Sequence, residues 1–379
     1  MIQLTIEDLA SSGEGVGTVE GKKVFIDGAL PGERVHAEVT LSKKRYSKAK
    51  LLRIENASPY RVNPICPLFG LCGGCQIMHL SYPEQLAWKQ RRVANALRRI
   101  GGLDIEVAPC EASPKDLEYR NKIVLEKGGF HKRHSHEIVP IPRCYIHNSL
   151  GEKALAQTAG TQKATIRTSF ASQEVMIIKD GKANRDFIIE RLGPLQFKIR
   201  PKDFFQINPL QAVRLYEKAV ELAQLSMTTR VLDAYCGVGC LSLFAALKAK
   251  EVVGIETGRT AIKSAKENAL LNTISNAQFI CGAVEQFLPK LGLFDTVFLN
   301  PPREGVAPKV IEALLTHSPN RLLYISCDPA TLSRDLKALK EAFHIEKVIP
   351  FDMFPQTVHV ETVVVLNKNS RGISSVKAR

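Results

Sequence analysis

The sequence predicts an α/β protein: a C-terminal doubly wound, Rossmann-like sheet, preceded by an N-terminal OB-like β-barrel and a central β-rich domain. Three observations predict it. Residues 1–56 alternate apolar and polar residues between closely spaced glycine turns, the pattern of several short strands. Residues 102–200 are again mostly short strand patterns, such as NKIVLEKGGF, KATIRTSF, EVMIIK and FIIERL. From about residue 201, continuous apolar strands alternate with helices, as parallel strands covered on both faces do.

A chain of 379 residues is long enough for two or three domains with their own cores. No apolar run approaches a membrane span, and the acidic start MIQLTIEDLASSGEG is not a secretory signal. A cytoplasmic protein without a membrane partner is therefore expected, with its nine cysteines, an odd number, reduced rather than paired. The formal charge of +14 points to a polyanion, with nucleic acid as the expected partner. The excess is clustered in KKRYSKAK (43–50), WKQRRVANALRRI (88–100) and FHKRHSH (130–136).

The barrel, residues 1–56, is punctuated by turn signals at GK, DG and PG and suits nucleic-acid binding. The central domain, 57–200, opens with ICPLFGLCGGC, which brings Cys66, Cys72 and Cys75 together. SYPEQLAWKQRRVANALRRIG then reads as a helix with Ser81 as N-cap, Pro83 in the first turn and Gly101 just past the end. A fourth thiol, Cys144, falls in VPIPRCYIH within the β-rich insertion, which is expected to pack beside the cysteine loop. Spacing alone leaves a zinc site and an iron–sulfur cluster both open. A three-cysteine radical centre fits less well, because the first gap is five residues and a fourth cysteine is at hand.

In the third domain, 201–368, LQAVRLYEKAVELAQL is a helix, and strands and helices then alternate to the end. The last two strands, KVIPFDMF and VETVVVLNK, have only a loop between them, so the final one is expected to run antiparallel. NSRGISSVKAR, 369–379, reads as a disordered tail.

Within this domain LDAYCGVGCLSLFAA is strand, glycine turn and helix, where Gly237 and Gly239 allow a tight turn and a close ligand. The next strand ends in Glu256, placed to accept hydrogen bonds from two ribose hydroxyls. The third position of the phosphate fingerprint is Ser242, which favours S-adenosylmethionine (SAM), whose adenosine carries no phosphate, over NAD. NPPREG ends a later strand, with Asn300 offering a donor and an acceptor and Arg303 able to reach phosphate or a base edge. RLLYISC ends in Cys327 at the start of a helix capped by Asp328 or Ser326, a position whose dipole favours thiolate, although Asp328 opposes it. A thiolate beside SAM suits methylation of carbon 5 of uracil: addition to carbon 6 makes carbon 5 nucleophilic, and a base must then take the carbon-5 proton. Glu361, in HVETVVVL, is the expected base.

CPLFGLCGGC with the distant Cys144, DFFQINP, DAYCGVG, NPPREG, ISCDPATLSRDL and HVE, in this order, resemble the iron–sulfur class of RNA uridine-5-methyltransferases that modify 23S ribosomal RNA. The resemblance covers nearly the whole chain and includes a TRAM-like N-terminal barrel. It implies a 4Fe-4S cluster on Cys66, Cys72, Cys75 and Cys144, with zinc as the competing occupant. It implies SAM contacts from Gln206, Tyr235, Glu256 and Asn300, with Cys327 as nucleophile and Glu361 as base. Many members carry Asp where this chain has Asn300, which keeps hydrogen bonding but not charge. Cys240 stands where Asn or Thr is expected; with Cys236 it reads as a small residue under the cofactor loop, while Cys110 and Cys281 receive no role.

The expectation is a monomeric methyltransferase making 5-methyluridine in RNA, 23S ribosomal RNA ahead of transfer RNA. The barrel, the basic helix and the insertion would grip RNA, and the target base would leave its stack to meet Cys327. The alternatives are an RNA cytosine-5-methyltransferase and a non-catalytic iron–sulfur RNA-binding protein.

Overall fold

The computed structural model describes residues 1–369; the expected tail lies, from residue 370 on, outside the described residues. Among the described residues no helix is long and apolar enough to cross a membrane. Strands β1 (Ile2–Leu9), β2 (Gly15–Val19), β3 (Lys22–Ile26), β4 (Arg34–Ser42) and β5 (Tyr46–Asn56) close into a barrel in the order β1-β2-β3-β5-β4. β4 closes antiparallel onto β1, and β3 runs parallel to β5. The alternation of the sequence turns Leu4, Ile6, Val24, Ile26, Val35 and Ala37 inward. A Cβ at Gly17 would stand 2.5 Å from the Thr5 carbonyl oxygen, so the close approach of β1 and β2 requires glycine there.

Helix α1 (Tyr82–Ala96) begins after Ser81 with proline in its first turn, as read. Ser81 makes no side-chain cap bond, and the helix runs on through a wide turn, Leu97–Gly101, to a left-handed Gly102, one residue later than expected. Part of its basic run turns inward. Lys89 is fully buried and its Nζ lies 2.5 Å from Asp352 Oδ1, while Arg92 donates to the Val358 carbonyl. Val93 and Leu97 enter the core, which turns this side of the helix inward, and Arg91, Arg98 and Arg99 stay exposed. In the insertion, Arg133 pairs with Asp27 of the barrel at 2.8 Å. Lys43, Lys44 and Arg45 form an exposed turn between β4 and β5.

The insertion supplies β6 (Lys122–Glu126), β7 (Gly129–His131), β8 (Ile138–Pro140), α2 (Ser149–Ala154), β9 (Lys163–Thr168), β10 (Val175–Lys179) and β11 (Lys182–Ala183). Its six strands order as β11-β10-β9-β6-β7-β8. β12 (Ile188–Leu192) and β13 (Leu195–Ile199) form a separate hairpin. The hairpin's Ile188, Leu192, Leu195 and Phe197 pack into one core of the last domain rather than into the six-stranded sheet.

That last domain contains α3 (Pro209–Ala223), β14 (Arg230–Ala234), α4 (Cys240–Ala246), β15 (Glu251–Glu256), α5 (Arg259–Leu271), β16 (Ala277–Cys281), α6 (Val284–Phe287), β17 (Thr296–Leu299), α7 (Pro308–Thr316), β18 (Arg321–Ser326), α8 (Pro329–Leu339), β19 (Phe343–Phe351) and β20 (Glu361–Lys368). The sheet order is β16-β15-β14-β17-β18-β20-β19. The first five strands are parallel, and β20 is antiparallel to both β18 and β19. Both faces are covered: Val231, Val252, Phe298, Leu323 and Val363 belong to the core of α3, α4 and α5. Leu232, Val253, Val297, Leu322 and Val364 belong to the core that Val310 of α7 and Leu332 of α8 complete. Continuous apolar strands follow from burial on two faces.

Candidate active site

The carboxyl ends of β14, β15, β17 and β18 meet the start of β20 and the segment 204–207 around one cavity of about 1450 Å³. This is where an open α/β sheet holds ligands. Gln206, Tyr235, Gly237, Glu256, Asn300, Cys327 and Glu361 all line it. Gly239 does not; it sits behind, at φ +85°, where a Cβ would meet the Phe279 ring at 3.1 Å. Gly237, at φ +55°, has no atom within 4 Å of its would-be Cβ, so its backbone borders open cavity.

Tyr235 is not glycine and yet sits at φ +68°, a strained conformation of the kind that gathers at ligand sites. Burial pushes its phenol up to about 12, against a hydrogen bond from the Ala307 backbone. Glu256 is held by donors: Gly258 N–H at 2.8 Å and Thr257 Oγ1 at 3.0 Å on one oxygen, Gly237 N–H at 3.3 Å on the other. The buried Gln206 side chain meets the Tyr216 hydroxyl. Ser242, the residue that broke the phosphate fingerprint, donates to buried Asp233 at 2.5 Å. Burial pushes Asp233 up to about 7, and its second oxygen, Oδ1, has no partner among the described residues. Cys236 and Cys240 are buried beneath the loop and touch the same cavity.

The register of the last strand brings the two reactive candidates together. Ser326 of β18 pairs with Thr362 of β20, so the antiparallel ladder sets Cys327 opposite Glu361. Directly opposed residues have Cα atoms about 5 Å apart and side chains on one face. Asp328, of the two caps weighed, makes the cap, accepting from Ala330 N–H at 2.8 Å and Thr331 N–H at 3.0 Å. The thiolate expected from the helix start is not favoured here. Burial pushes the Cys327 thiol up to about 11, and the Glu361 charge adds to this while Arg303 opposes it. Glu361 is 5% exposed rather than a surface carboxylate, and burial pushes it up to about 7, again against Arg303.

Sequence reasoning missed several lining residues. His359 stands edge-on to Phe354 with centroids 5.8 Å apart. Burial and then Arg303 and Arg92 push His359 down to about 4, so it is a neutral imidazole. Phe204 is 71% exposed at the cavity rim, unusual for phenylalanine, and its place before Gln206 was the available signal. Arg120 lines this cavity and also a second one, which no local pattern could announce.

The second cavity, of about 520 Å³, is bordered by Cys66, Cys72, Cys75 and Cys144. Tyr119, Met78 and Ile146 pack against this group. The insertion is fastened to the cysteine loop as expected: Gly73 N–H donates to His131 O at 2.9 Å and Arg133 N–H to Leu71 O at 3.0 Å. Burial raises Cys72, pushes Cys144 up to about 11 and raises Cys75 well beyond that. Backbone N–H groups still reach the sulfurs, Gly74 to Cys72 Sγ at 3.4 Å and Ile146 and His147 to Cys144. Four half-buried thiols around one cavity, two of them with N–H donors aimed at the sulfur, fit the donor set of a thiolate-bound metal centre.

A family model described as tRNA (uracil-5-)-methyltransferase matches residues 172–369, and a TRAM domain model matches residues 1–52. An uncharacterized RNA methyltransferase of Clostridium tetani is 35% identical, covering 96% of this chain and 95% of that protein. One of Listeria monocytogenes is also 35% identical, covering 97% and 98%. The crystal structure of Pyrococcus abyssi tRNA (uracil-54, C5)-methyltransferase in complex with S-adenosyl-L-homocysteine has a TM-score of 0.80 and 27% identity, covering 96% of this chain and all of that one.

Proposed function

As the chain belongs to the tRNA (uracil-5-)-methyltransferase family and is an RNA methyltransferase, we propose that it methylates carbon 5 of a specific uridine in RNA through a covalent bond from Cys327 to carbon 6. The observation that carries this reading is that Cys327 and Glu361, which follow and precede the Ser326–Thr362 pair of the β18–β20 ladder, line one cavity close enough for the Glu361 charge to act on the thiol, with Gln206, Tyr235, Glu256 and Asn300 around them. Family membership sets aside the cytosine-5 and non-catalytic alternatives.

SAM, when bound, supplies the methyl group, and Gln206, Tyr235, Gly237, Glu256 and Asn300 would hold it. The geometry of Glu256 supports a ribose contact, because its carboxylate is fixed at the cavity by three donors. Cys327 gives up its thiol proton to solvent, the thiolate Sγ bonds to carbon 6 of uracil, and the electrons of the 5,6 double bond make carbon 5 the nucleophile. After methylation Glu361 removes the carbon-5 proton. The double bond re-forms, the S–C6 bond breaks and the thiolate returns. A carboxylate near 7 is poised for that proton transfer at neutral pH.

The four-cysteine set and the order of the motifs support 23S ribosomal RNA as substrate. Transfer RNA is the second reading, favoured by the name of the Pyrococcus abyssi enzyme. Mass mapping of 5-methyluridine in ribosomal and transfer RNA, from cells with and without the gene, decides between them; no lost 5-methyluridine in either would overturn both. For the thiol site we infer a 4Fe-4S cluster on Cys66, Cys72, Cys75 and Cys144, which leaves no open position for chemistry. Anaerobically purified protein should be brown and contain iron and sulfide; colourless protein with one zinc would refute it.

A further inference from the structure

The loop between β19 and β20 runs from Asp352 to Val360 and delivers Glu361 to the cavity. It lies in no regular element, so its shape must come from what grips it. Three glutamines do so. The Gln356 carbonyl accepts from Gln76 N–H at 3.1 Å and Ile77 N–H at 3.2 Å. Gln76 Oε1 accepts from Val358 N–H at 3.3 Å, while its Nε2 donates to Gly73 O at 2.7 Å. Gln85 is fully buried in α1 and meets Gln356 twice: Gln85 Nε2 donates to Gln356 Oε1 at 2.9 Å, and Gln356 N–H donates to Gln85 Oε1 at 3.0 Å.

The loop needs this grip. Gln356 sits at φ +69°, in the left-handed region that disfavours a side chain. It is buried, so water does not hold it. The bonds come from segments about 270–280 residues away in sequence, which makes them features of the fold and not of a turn. Neighbouring contacts extend the grip. Lys89 Nζ donates to Phe354 O at 3.1 Å, and Tyr119 OH donates to Pro355 O at 3.0 Å. Gln76 directly follows Cys75, so one jaw is continuous with the thiol loop.

We propose that Gln76, Gln85 and Gln356 are positioning residues for Glu361: they clamp the 352–360 loop so that the carboxylate stays in register with Cys327, and through Gln76 the thiol loop is part of that clamp. This rests on the reading of Glu361 as the base and of Cys327 as the nucleophile. The clamp acts on proton removal and not on the first bond. A loosened loop therefore slows release of the product while leaving attack by Cys327 intact.

The test uses the full-length holoprotein and two RNAs, one with uridine and one with 5-fluorouridine at the target. Fluorine leaves no proton at carbon 5 to remove, so the Cys327 adduct persists whether or not the base is in place. Gln76→Leu should lower turnover on uridine RNA about tenfold, as a small misplacement of a catalytic group does. Its rate and yield of adduct on 5-fluorouridine RNA should match wild type. Gln76→Glu keeps an acceptor for Val358 N–H and should restore most turnover. Gln356→Ala leaves the main-chain bonds, removes the side-chain contacts to Gln85 and Asp116, and serves where Gln76→Leu folds poorly. Unchanged uridine turnover in both variants overturns the proposal. So does a parallel fall of turnover and adduct formation, which would mark a merely structural role. If wild type forms no adduct on 5-fluorouridine RNA, the covalent mechanism itself fails and takes the clamp with it.

Discussion

The molecule sets half-buried thiols beside two cavities, and the two differ in what surrounds them. Cys66, Cys72, Cys75 and Cys144 border one cavity together; burial raises Cys72, Cys75 and Cys144, the other sulfurs add to this at Cys72 and Cys75, and Glu152 adds to it at Cys144. Around Cys327 there is a carboxylate directly across the ladder and an arginine that pulls against it. A group of four thiols around one cavity has the donor set of a metal site. A site that sets one thiol against an acid and a cation can move a proton and make a bond.

The largest expected effect is the sharpest break of this contrast. Cys327→Ala should abolish methyl transfer, by roughly 10⁴-fold or more, while leaving SAM affinity near wild type by calorimetry. Cys75→Ala should do the reverse. It should lose metal and several kcal/mol of stability, roughly, because ligand binding free energy is folding free energy at such sites. The protein that does fold should retain measurable turnover. Abolished turnover in folded, SAM-binding Cys75→Ala would erase the distinction.

Next comes the carboxylate that only one of the two sites has. The rate of proton removal from carbon 5, measured from the formed adduct, should climb tenfold per pH unit below about 7 and level above it, following ionisation of Glu361. Arg303→Gln should move that limb to higher pH, because Arg303 is the charge that holds Glu361 down. The same shift has a stability consequence of fixed sign. The folded carboxyl titrates near 7 and the free one near 4.5, so the folded state binds the extra proton. Stability is full below about 4.5 and falls as pH rises through 7, by up to about 3 kcal/mol. Glu361→Gln should therefore be more stable than wild type at pH 8 and equal to it near pH 4 by thermal melts. A variant that gains nothing at pH 8 would contradict the buried carboxylate.

Much of this was legible because local patterns carry it. Alternation announces the barrel, and apolar runs that stop at a polar residue announce Gly237, Glu256, Asn300 and Cys327 at strand ends. Cys327 and Glu361, the proposed nucleophile and base, were legible as two residues but not as neighbours, since the register that brings them together is a property of an antiparallel strand inserted between β18 and β19. Lys89 misled: a lysine in a basic run reads as solvent-facing, and its partner Asp352 is 263 residues away. Ser242 likewise looks like a defect in a glycine motif until the fold sets it against Asp233. The cysteine loop was read as supporting rather than reacting, but its hold on the Glu361 loop runs through Gln76 and Gln356 and leaves no trace in spacing.

The smallest effect concerns a thiol that belongs to neither site. Cys281 ends β16, is exposed, and pairs in register with Glu256, its Sγ 3.6 Å from the Thr257 carbonyl. It is next to the cavity without lining it. Iodoacetamide on the holoprotein at pH 7.5 should label Cys281 first, because reagent meets it directly. Cys327 should follow far more slowly, since a thiol at about 11 is thiolate in only about one molecule per few thousand at that pH. Cys281→Ser should change turnover less than about twofold, as surface substitutions generally do. Peptide mass analysis of the labelling order, read against remaining methyl transfer, checks both statements at once. Labelling of Cys327 ahead of Cys281 would mean that the reactive thiol is ionised before RNA arrives, and that its carboxylate neighbour does not govern it.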